Sequence, residues 1–62
     1  MTPYTFHMYQ ALARQPMTSA QAAKALGWPI KRAYSVIAQL CATGVAVRVA
    51  NAVQGYVYGV DA

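Results

Sequence analysis

The sequence predicts a small, mainly helical α+β domain, three helices followed by a two-stranded β-hairpin, and three observations carry that prediction. Apolar residues recur at helical spacing as far as about residue 43. Beyond Gly44 the period drops from about 3.6 to about 2. Between the helical stretches stand a start signal, Thr18-Ser19-Ala20-Gln21, and a stop signal, Leu26-Gly27-Trp28-Pro29. The 62 residues make one domain, residues 1–62, because a chain this short buries only about 60% of the surface its unfolded form exposes.

Helix 1 covers about residues 5–14: Thr5, Met8, Tyr9 and Leu12 fall at helical spacing, and Pro16 stops the run. Residues 15–17 are the connection. Helix 2 covers about residues 18–26, opened by a capping box in which the Thr18 hydroxyl accepts from the backbone of residue 21 while Gln21 reaches back. Gly27 closes it, since a residue without Cβ suits the left-handed conformation that ends a helix. Pro29 is an early residue of helix 3, about residues 29–43, where its missing amide would be unbonded anyway. There Ile30, Ala33, Ile37, Leu40 and Cys41 share one side, with Val36 at its edge. Lys31, Arg32, Ser35 and Gln39 hold the opposite side, so helix 3 is amphipathic and basic at its start. In the hairpin, about residues 45–60, Val45, Val47 and Val49 alternate with Ala46, Arg48 and Ala50. The chain turns around residues 51–55 and returns with Tyr56, Tyr58 and Val60 alternating with Val57 and Gly59.

Composition narrows the function. The chain is 58% hydrophobic and 10% charged, with five Lys or Arg against one acid, for a net charge of +4. So basic a body points to a polyanionic partner, nucleic acid or an anionic membrane surface. The membrane reading weakens because no run of about 18 apolar residues exists. Residues 1–10 also lack the basic start and apolar stretch of a secretory signal. Cys41 has no second cysteine to pair with, and on the buried side of helix 3 it reads as a small hydrophobe. His7 has no cysteine, aspartate or second histidine at ligand spacing, so no metal is expected. It has no nucleophile or orienting acid beside it either, and an enzyme, a cofactor or a small-molecule ligand is not expected.

Two helices joined by a Gly-containing turn, the second basic and followed by a hairpin, is the order of a winged helix-turn-helix. Residues 17–29, Met-Thr-Ser-Ala-Gln-Ala-Ala-Lys-Ala-Leu-Gly-Trp-Pro, resemble helix 2 and the turn of winged helix-turn-helix DNA-binding domains. Ala33, Leu40 and Gly44, followed by a valine-rich strand, resemble the continuation into the wing, so the likeness covers roughly residues 5–60. It implies that helix 3 enters the major groove of double-stranded DNA, with Lys31, Arg32, Tyr34, Ser35 and Gln39 as contacts. It also implies that Arg48, Asn51 and Gln54 on the wing touch backbone or the neighbouring minor groove, and that Thr18 and Ser19 present amides to a phosphate. Lys24 and Arg14 would be peripheral. Small stand-alone members look like the compact regulators of phages and mobile elements, which would place the chain in the bacterial cytoplasm on the nucleoid.

Each of these residues also has a plainer reading. Charges on a helix are often just solvated, although here four of the five basic residues fall between positions 24 and 48 with no acid near them. Tyr34 borders the apolar face, where packing is as natural as DNA contact. Tyr56 and Tyr58 read as packing against helix 3, and Trp28 as a cover for the small core. Tyr4 and Phe6 exceed what one core-facing stripe of helix 1 needs, and a homodimer through them would match a two-fold operator. The expected function is therefore a small, dimeric, sequence-specific DNA-binding transcriptional regulator, a repressor among the possibilities. The alternatives are a winged-helix protein-interaction module, using the apolar excess as its surface, or a nonspecific architectural DNA binder.

Overall fold

Thr2 starts the first helix earlier than the apolar spacing suggests. Its hydroxyl accepts from the Thr5 amide at 3.2 Å, Pro3 occupies the first turn, and α1 runs Pro3–Arg14. The expected start at residue 5 followed the first inward-facing side chain, whereas a cap and a proline begin a helix without contributing to its buried face. Thr5, Met8 and Leu12 point into the protein. The buried Thr5 hydroxyl is satisfied by the Thr2 carbonyl at 2.9 Å. The computed structural model describes residues 2–53 and 55–60.

The connection after α1 is more ordered than expected. Met17–Thr18 forms a two-residue strand, β1. With β2 (Ala46–Ala52) and β3 (Gly55–Val60) it makes a three-stranded antiparallel sheet in the order β1-β3-β2. The expected hairpin forms as β2–β3, but the sheet has three strands and not two; β1 escaped notice because two residues are too short to show a period of 2 in sequence.

At the head of α2 (Ser19–Leu26) the capping box forms as expected: the Gln21 amide donates to Thr18 Oγ1 at 3.1 Å, and the Thr18 amide donates to Gln21 Oε1 at 3.0 Å. At its end Gly27 takes φ 71°. The Trp28 amide then reaches the Ala23 carbonyl at 2.9 Å, closing the helix on its own orphan acceptors. α3 spans Ile30–Ala42. Pro29 caps it from outside, with extended ψ of 145° and a carbonyl accepting from Arg32 and Ala33, so it is not the early helical residue expected. Thr43 donates its hydroxyl to the Leu40 carbonyl at 3.0 Å. Gly44, at φ 81°, repeats the turn made by Gly27, the Val45 amide bonding the Leu40 carbonyl at 2.9 Å.

The core comprises Met8, Leu12, Ala22, Ala23, Ala33, Val36, Ile37, Leu40 and Ala46, with Met17, Leu26, Trp28, Cys41, Val45, Tyr58 and Val60 packed around it. Four of the nine are alanines, which let three short helices and a sheet approach closely enough to exclude water. Val36 is inside rather than at an edge, and Ile30 is outside the core at 40% exposure. On the hairpin the small residue is the buried one: Ala46 is enclosed while Val47 and Val49 stand exposed. The turn is tighter than expected, since Ala52 already pairs with Gly55. Among the described residues no helix is long and apolar enough to cross a membrane.

Candidate nucleic-acid interface

At 100° per residue, the side of α3 opposite Ala33, Ile37 and Leu40 carries Lys31, Ser35 and Ala38, all exposed. Arg32 and Gln39 flank this line toward α1. Tyr34, 57% exposed, flanks it on the other side, toward the start of α2 and the hairpin. The five expected α3 contacts thus share one accessible band, and Tyr34 is not packed in the core of its own chain.

Arg32 is held. Its Nη1 donates to the Tyr4 hydroxyl at 3.2 Å, and its guanidinium carbon sits 4.5 Å from the Tyr4 ring centroid. Tyr4 in turn meets Trp28 edge-on with centroids 5.4 Å apart. The three side chains link α1, the turn and the first turn of α3. Arg32 therefore projects from a fixed origin, while Lys31 on the next position has no such tether among the described residues.

The hairpin contributes through an irregularity. Arg48 opposes Tyr58, but the register shifts between Arg48 and Ala50, so that Ala50 opposes Val57 and Asn51 opposes Tyr56. Val49 is the extra residue of a β-bulge. Residues directly opposite share a face, so Arg48, Asn51, Tyr56 and Tyr58 all lie on the face that Ala46 and Val60 bury farther along. Arg48 covers one side of the Tyr56 ring, with its guanidinium carbon 4.5 Å from the centroid. Tyr58 packs on the core, whereas Tyr56 is 43% exposed and stacks on Arg48 instead of on α3. Gln54 lies outside the described residues.

At the start of α2 the geometry limits what sequence reasoning assigned. The amide and hydroxyl of Thr18 are both engaged by Gln21, and Ser19 is buried, at 6% exposure. What remains for an anion there is the amides of Ser19 and Ala20. Tyr4 and Phe6 also separate: they point to different sides of α1, Tyr4 toward Arg32 and Trp28, Phe6 outward at 47% exposure beside His7.

Two residues were missed as site candidates. Tyr56 and Tyr58 join Tyr34, Ser19, Ala20 and Gly55 around a concavity of about 140 Å³ between α3, the start of α2 and the hairpin. Their alternation suggested packing, and only the strand register shows which side they share with Tyr34. A groove of about 370 Å³ lies apart from Lys31 and Arg48, between Thr2 and Thr5 of α1 and Gln39, Leu40, Thr43 and Val45. No group of three or more His, Cys, Asp or Glu stands together among the described residues. The chain matches no family model, no curated protein and no solved structure.

Proposed function

We propose that this protein is a small winged helix-turn-helix domain that binds double-stranded DNA and regulates transcription, with α3 in the major groove and the β2–β3 hairpin as the wing on adjacent backbone or minor groove. The observation that carries this reading is electrostatic and positional. All five basic side chains are exposed, Lys31 and Arg32 on the first turn of α3 and Arg48 on the hairpin, and no acidic side chain occurs among the described residues to repel a phosphate. The order of elements supports it, since two helices joined by a tight glycine turn precede the hairpin. The added strand β1 leaves that order intact. Within this reading Lys31, Arg32, Tyr34, Ser35 and Gln39 face the groove, with Gln39 suited to adenine, while Arg48 and Asn51 contact backbone. The domain needs no cofactor and acts as a homodimer in the bacterial cytoplasm, as a phage or mobile-element regulator does.

Titration of duplex DNA at several salt concentrations tests the proposal. A dimer neutralising three or four phosphates per subunit loses affinity with a log-log slope of about −5 to −7. Binding that does not respond to salt, or no binding, sinks it. A protein-interaction role is the second reading, favoured by the exposure of Phe6 and Tyr9 on α1, at 47% and 37%.

A further inference from the structure

We propose that the concavity between Tyr34 and Tyr56 is a slot for a single unstacked nucleobase, so that the domain prefers DNA in which one base is unpaired. This rests on the DNA-binding reading above and goes beyond it in the form of nucleic acid it selects.

Four features of the slot argue for that occupant. Tyr34 comes from α3, Tyr56 and Tyr58 from β3, and all three line the same concavity, yet no two of these rings are paired with each other. The aromatic walls are therefore not filled from within. The space, about 140 Å³, would hold about five waters, which is the bulk of one planar base and too little for a base pair. Arg48 lies over the Tyr56 ring with its guanidinium carbon 4.5 Å from the centroid, and its charge strengthens the pull on the phosphates that flank an extruded base. The polar element is Ser19, 6% exposed. It lines the slot, and its hydroxyl has no hydrogen-bond partner among the described residues. A hydroxyl that both donates and accepts suits the edge of any base, and stacking on tyrosine is tolerant of sequence. A flat, hydrogen-bonding aromatic group carried between two phosphates is what this lining recognises.

The test compares two labelled duplexes of the same mixed sequence, one fully paired and one with a single unpaired base, by fluorescence anisotropy. The wild-type protein should bind the second roughly ten- to a hundredfold more tightly, the range that stacking of one base on an aromatic side chain supplies. Tyr56→Leu should bring the ratio of the two affinities to about one. Tyr56→Phe should keep it, and Lys31→Glu should weaken both duplexes while preserving the ratio. The fold of each variant is checked by its thermal transition. A measurement on the wild type alone adds an independent readout: 2-aminopurine at the unpaired position should change its emission on binding. Equal affinity for both duplexes, or unchanged emission in the bound state, overturns the slot and leaves duplex binding standing. Absence of binding to either duplex overturns the slot and the proposed function together.

Discussion

Tyr4 and Arg32, twenty-eight positions apart in the chain, touch twice: the guanidinium donates to the phenol at 3.2 Å and lies over its ring at 4.5 Å. The contact ties α1 to the first turn of α3. Because Tyr4 also meets Trp28 edge-on, its removal loosens the turn as well as the arginine. Tyr4→Ala should lower stability by about 1–2 kcal/mol, the combined scale of one edge-to-face pair and one exposed cation–π contact. Tyr4→Phe should keep most of that. A double-mutant cycle with Arg32→Ala, read by urea denaturation, should give a coupling of about 0.5–1 kcal/mol. Additive effects would show that the pair is a crossing of two side chains with no energetic link.

Lys31 differs from Arg32 in having no partner among the described residues, so charge reversal there acts on the ligand and not on the fold. Lys31→Glu should leave the thermal transition within a degree or two, since surface changes of this kind cost about 0.5 kcal/mol or less. Its effect on DNA should be large. The salt slope should become shallower by about one per subunit, the share of one phosphate contact, and affinity should fall for every duplex sequence alike. A Lys31→Glu variant that binds DNA as the wild type does would remove α3 from the interface.

Tyr4 and Phe6, the two residues expected at a dimer contact, are 45% and 47% exposed but point to different sides of α1, and Tyr4 already has partners within the chain. Phe6 does not, apart from its neighbour His7. Self-association, if it runs through α1, therefore depends on Phe6 with Tyr9 beside it, and not on Tyr4. Sedimentation over a range of concentrations should show Phe6→Glu as a monomer and Tyr4→Ala unchanged from the wild type. The reverse pattern would place the partner subunit over the Arg32 side of α1.

Local signals made the helices legible, and long-range pairing hid most of what differed. The capping box at Thr18 and the turn at Gly27 follow from a few adjacent residues, and both form as the sequence suggests. β1 was illegible because its pairing partner, β3, is some forty residues away and its two residues carry no period. The bulge at Val49 had the largest consequence for the site. Strict alternation puts Arg48 and Asn51 on opposite faces, whereas the extra residue brings them to one face with Tyr56 and Tyr58. The exposed face of α3 was readable from a helical wheel, but the concavity was not, since it needs the hairpin register and the position of α2 at once. The contacts of Tyr4 with Arg32 and Trp28 were hidden for the same reason, since those residues lie outside its own helix.

Gly27 and Gly59 should both fail on substitution, for opposite reasons. At Gly27 a Cβ would meet nothing within 4 Å, but φ is 71°, in the left-handed region. Gly27→Ala should therefore cost about 1–2 kcal/mol of backbone strain whatever its neighbours are, and Gly27→Asn should cost less because asparagine visits that region more readily. At Gly59 the backbone is ordinary and the obstacle is packing: a Cβ would lie 3.2 Å from Val49 Cγ1 and 3.6 Å from Pro16 Cγ. Gly59→Ala is then a steric problem that a second substitution can relieve. Combining it with Val49→Ala should recover much of the loss, whereas no truncation of a neighbour should rescue Gly27→Ala. Melting temperatures of the single and double variants separate the two causes. In a domain of this size each kcal/mol corresponds to a shift of about 4–8 °C. If Val49→Ala gave no recovery, the bulge residue would not be what restricts Gly59, and the packing of Val49 across the open face of the sheet would have to give way to Pro16 as the obstacle.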